Sequence, residues 1–77
     1  MTDMIAMRQA YEDIIRQNKI PLLIDSTRTI YNISETACRD VIFSDQGITF
    51  KCSFGGNVTR ISIYEDDIIC LIEADDD

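Results

Sequence analysis

The spacing of apolar residues changes once along this chain, at Pro21, and that change limits what the chain can fold into. Before it, Met4, Met7, Tyr11 and Ile14 step by three, four and three towards Asn18, with Ile5 and Ile15 beside them. That is one face of a helix, expected over about residues 3–18. Thr2 or Asp3 can cap its start, and Arg16 and Lys19 suit the negative end of its dipole. Pro21 closes it, because the residue before a proline is pushed out of the α region. Either the Met4, Met7, Tyr11, Ile14 stripe covers the core, or it also meets a second copy of the protein.

Beyond Pro21 the period is two. Strands are expected at about 22–25, 27–33, 40–44, 48–54, 58–64 and 68–73, with a frayed acidic end at 74–77. Alternation is clearest where Ile48, Phe50, Cys52 and Phe54 take one face and Thr49, Lys51 and Ser53 the other. Gly47 ends one turn, and Gly55-Gly56-Asn57 makes a tight hairpin. Fourteen of the 77 residues are isoleucine, a β-branched excess that favours sheet. The expected class is α+β: one N-terminal helix, then a small, strongly bent antiparallel sheet forming a partly open barrel in a single domain.

Charge and composition narrow the chemistry. The net charge is −7, yet residues 1–60 are neutral, and the seven uncompensated acids all lie in 61–77. With no basic stripe anywhere, nucleic acid is not an expected partner. There is no histidine, so imidazole catalysis and histidine-bound metal are excluded. Glu65-Asp66-Asp67 and Asp75-Asp76-Asp77 lack the alternating ligands of a calcium loop and read as solvated acid. No metal, cofactor or catalytic group is expected. Cys38, Cys52 and Cys70 are odd in number and without a CxxC, which reads as reduced core thiols in a cytoplasmic protein. No apolar run approaches the length of a membrane span. What remains is binding: a short bent sheet offers edges and a shallow groove to an extended peptide, with Thr49, Lys51 and Ser53 on the face it would touch.

The stretch Ile48-Thr49-Phe50-Lys51-Cys52-Ser53-Phe54-Gly55-Gly56-Asn57 followed by Arg60–Ile63 resembles the strand–Phe-Gly-Gly–strand hairpin of the stringent starvation protein B (SspB) family. Upstream, Ile30-Tyr31-Asn32-Ile33-Ser34 is similar to that family's Asn-Ile strand. Tyr11-Glu12 through Asn18 and then Pro21–Asp25 are similar to its N-terminal helix, proline and first strand. The likeness runs from residue 4 to residue 74. It implies an Sm-like barrel that dimerises through the N-terminal helix, here Met4, Met7, Tyr11 and Ile14. It implies a non-enzymatic adaptor that grips an ssrA-like degradation tag and presents it to the ClpXP protease. By position, Thr36, Ala37 and Cys38 on one side and Lys51, Cys52 and Ser53 on the other would line the tag groove. Only Ser26-Thr27-Arg28-Thr29 stand where the family has a longer stretch, and the family's ClpX-docking tail is not found after Asp77. A short variant of this kind would act as a tag-binding adaptor, or as a decoy that binds tag or adaptor without delivering. A less favoured alternative is an Sm-like RNA-binding module.

Overall fold

The helix starts where Asp3 accepts hydrogen bonds from the N–H groups of Ile5 and Ala6, both at 3.1 Å, through its carboxylate. In this computed structural model, which describes residues 2–75, α1 spans Met4–Arg16. The expected inward side chain of Phe54 and the tail residues 76 and 77 lie outside the described part. Asn18, not Pro21, ends the helix. Its φ is +58°, its N–H donates to the Ile15 carbonyl, and the Lys19 N–H donates to that of Ile14. Those two bonds satisfy carbonyls the helix end would otherwise orphan, and asparagine tolerates the left-handed residue they require.

Pro21 is instead part of β1 (Ile20–Asp25), the central strand of a sheet in which it lies between β2 (Ile30–Asn32) and β6 (Ile68–Ala74). Its carbonyl accepts from the Ile33 N–H at 3.1 Å. Its missing N–H is on that same side, so the ladder to β6 loses nothing. The second sheet, ordered β3-β4-β5, comprises Cys38–Ser44, Gly47–Phe54 and Asn57–Tyr64, all antiparallel. A short 3-10 turn, Glu65–Asp67, joins β5 to β6.

The α+β class expected from the sequence is what the chain adopts, but the strands form two separate three-stranded sheets. Among the described residues they do not close into a barrel. Two interruptions account for this. β2 stops at Asn32 and the chain turns through 34–37 before β3, and the 3-10 turn breaks β5 from β6. Between the sheets lies one core of Met4, Leu23, Ile33, Cys38, Ile48, Phe50, Ile63 and Ile68, each at most 7% exposed. Full burial of side chains this size is worth about 1.5–3 kcal/mol each.

The α1 stripe, expected to cover the core or also to meet a second copy, packs inward along its length. Met4 and Ile14 are both only 6% exposed. Met7 and Tyr11 are half-buried and pack against the cluster, the Tyr11 ring tilted against Phe43 with centroids 5.2 Å apart and its hydroxyl donating to the Ile33 carbonyl at 3.0 Å. Small domains have few apolar residues, and this one uses the helix stripe internally.

Candidate functional site

A β-bulge arranges the residues proposed from the sequence. At the turn end of the β3–β4 hairpin, Ser44 faces Gly47 and Ile42 faces Thr49. Continued without interruption, that register would set Cys38 opposite Ser53. One extra residue intervenes between Arg39 and Ile42, where Asp40 takes φ +54°, and Cys38 comes to lie opposite Cys52 instead. The bulge also reverses the strand's parity, so Cys38, Val41 and Phe43 all turn inward although their numbers differ in parity. Lys51 Nζ sits 3.2 Å from the Asp40 carboxylate and ties the bulge to β4.

Cys38 is buried, Cys52 half-buried, and both are free thiols. Their sulfurs are 2.8 Å apart, and Cys38 Sγ also lies 3.1 Å from the Asn32 carbonyl, to which it donates. Burial first, then the hydrogen bond and charge of Cys52, push the Cys38 thiol up to about 12. At neutral pH it keeps its proton. Thr36 and Ala37 are exposed in the preceding turn, which Ser34 builds. Its N–H donates to Asn32 Oδ1 at 3.0 Å, its hydroxyl meets that of Thr36 at 3.1 Å, and its carbonyl accepts from Ala37 and Cys38. Ser53 is exposed on β4. The structure thus brings Cys38, Lys51 and Cys52 together across one ladder, with Thr36 and Ala37 beside them.

The concave surface lies further along β3. A groove of about 720 Å³ runs between α1 and the end of β3, lined by Asp3, Ile5, Arg8, Glu12, Phe43 and Asp45 among others. A smaller hollow of about 350 Å³ continues it past Tyr11, Val41 and Ile42. None of Thr36, Ala37, Cys38, Lys51, Cys52 or Ser53 lines either one. Sequence reasoning missed this place, although Ile5 was its signal, an aliphatic residue off the helix stripe and 75% exposed. Phe43, from β3, supplies the facing wall. The rim is acidic: Asp3, Glu12, Asp45 and Glu65 stand against Arg8 alone, which is itself paired with Glu12 at 3.0 Å. β3 is the outer strand of its sheet, so its second edge carries no ladder among the described residues.

A further open surface is the outer face of the β2-β1-β6 sheet. Residues directly opposite share a face. Leu22 faces Asn32 and Ile72, and Ile24 faces Ile30 and Cys70. The alternate residues Pro21, Leu23 and Asp25 are buried on the inner side. Ile30 and Ile72 stay 59% and 43% exposed, and apart from Asn32 this patch is apolar.

Among the described residues no three or more cysteine, aspartate or glutamate side chains converge as a metal site, and no helix is long and apolar enough to cross a membrane. Comparison with family models, with curated proteins and with solved structures returns no match.

Proposed function

We propose that this protein is a non-enzymatic, cytoplasmic binding module that takes an extended peptide beside the free edge of β3, in the groove against α1. The observation that carries this reading is the pairing of an unladdered outer strand with an apolar hollow next to it. A peptide there can hydrogen-bond its backbone to β3 and seat alternate side chains on Ile5 and Phe43. The resemblance to the SspB family supplies the ligand class and the destination: a C-terminal degradation tag of the ssrA type, presented to the ClpXP protease. The acid rim adds a preference for apolar segments with neutral or basic flanks over acidic ones.

Titrating a fluorescently labelled ssrA-type peptide tests the proposal. Saturable binding is expected, weakened about five-fold by Ile5→Ala, since that change removes roughly 1 kcal/mol of apolar contact. Ile5 is exposed on the helix surface, so the fold should tolerate the change. If Lys51→Glu with Ala37→Gln weakens binding and Ile5→Ala does not, the peptide lies on the 36–38 and 51–53 surface instead. No saturable binding at high micromolar protein ends the adaptor reading. Adding the protein to a ClpXP degradation assay then separates adaptor, which speeds tagged-substrate turnover, from decoy, which slows it.

The homodimer belongs to the same proposal, on a different surface. With the α1 stripe packed inward, the outer face of β2-β1-β6 is an open, nearly uncharged apolar surface for a second copy. A chain of net charge −7 repels its own copy, and the residues paired across this face carry no charge.

A further inference from the structure

We propose that Cys38 and Cys52 are a reversible dithiol–disulfide pair, closed by thiol–disulfide exchange with a small-molecule disulfide such as oxidised glutathione. The bulge at Asp40 sets the two residues directly opposite each other on β3 and β4, and their sulfurs approach to 2.8 Å. A cross-link needs the two side chains to point at one another, and here both already turn to the inner face. Nothing else in the peptide-binding proposal uses this pair, and neither sulfur lines the groove. Cys70 is excluded as a partner by topology. It faces Ile24 on the outer side of the other sheet.

The exchange proceeds in two displacements. Cys52, the less buried of the two, loses its proton, and its thiolate attacks one sulfur of the glutathione disulfide. That S–S bond breaks, and one glutathione thiolate leaves. Cys38 then attacks the Cys52 sulfur, its proton passing to the departing glutathione sulfur as the new S–S bond forms. The Cys52–glutathione bond breaks and the second glutathione departs as a thiol. The two protons from the protein end on the two glutathione thiols. The protein pair is oxidised by two electrons and the glutathione disulfide is reduced by two.

Intact-mass measurement of the folded chain in glutathione redox buffers tests this. Excess oxidised glutathione should remove two hydrogen masses, and dithiothreitol should restore them. Trypsin cuts after Arg28, Arg39, Lys51 and Arg60, so the peptides 29–39 and 52–60 hold one of these cysteines each. They should appear linked, with the Cys70 peptide free. Cys70→Ser should leave the mass loss intact, and Cys38→Ser or Cys52→Ser should abolish it. Circular dichroism on each variant checks that it is folded. Three thiols still titratable after oxidation, a stable glutathione adduct on Cys52, or a cross-link to Cys70 would each overturn the proposal.

Discussion

Asp25 is buried, and its carboxylate has four donors. Oδ1 accepts from the Thr27 N–H at 3.0 Å, the Thr27 hydroxyl at 2.6 Å and the Thr29 N–H at 3.0 Å, while Oδ2 accepts the Tyr31 hydroxyl at 3.2 Å. Those bonds, the Thr27 hydroxyl foremost, hold the carboxyl below the usual carboxylate range despite its burial. They also shape the turn in which Arg28 takes φ +68°. A group with a depressed folded pKa contributes stability above its unfolded value of about 3.9 and loses it as pH falls through the lower folded value. Asp25→Asn should therefore lower the thermal midpoint at pH 7, and the gap to the parent should narrow below about pH 4. Melting curves of both proteins between pH 2 and 7 check this, and a gap that is constant across that range would refute it. The sequence marks Asp25-Ser26 as a break between strands. That the aspartate is the hub of the turn depends on Tyr31 returning over it, a contact no local pattern encodes.

Among the elements, the β3–β4–β5 meander depends on close approach at Gly47. Its φ is +150°, and a Cβ there would collide with the Ile63 carbonyl oxygen on the neighbouring strand. Glycine is needed for the backbone angle and for the space. Gly47→Ala should cost about 2–3 kcal/mol, by strain and overpacking together, read as a lower urea midpoint with unchanged slope. A loss under about 0.5 kcal/mol would show that the meander relaxes around the methyl group. The sequence shows Gly47 as a turn residue, and the alternation from Ile48 to Cys52 names β4 and its buried face. It does not show the bulge in β3. An inserted residue leaves no mark on composition or period, yet it decides which residues meet across the ladder. Cys38 read along its own strand is one more small apolar side chain, and only the shifted register sets it against Cys52.

The whole molecule exposes 5323 Å², against about 4,800 Å² expected for a folded chain of 8.8 kDa. The excess accords with two sheets that do not close, leaving the β2-β1-β6 outer face and the α1–β3 groove open. If that outer face joins two copies, sedimentation should give a dimer near twice 8.8 kDa. Ile30→Lys with Ile72→Lys should convert it to a monomer with little change in melting, because both residues are already exposed in the single chain. A parent that sediments as a monomer up to high micromolar concentration refutes the pairing. By itself the sequence determined the parts. A period near 3.6 and an N-cap make α1, a period of two with its turns makes the strands, and the missing histidine removes a class of chemistry. Those are local properties, set by neighbours within a few positions. Tertiary structure decided that the strands split into two sheets, that the helix stripe is spent inside the chain, where the groove opens, and that two cysteines touch. Each of these depends on residues distant in sequence competing for one small core, and that competition is resolved only when the chain is packed.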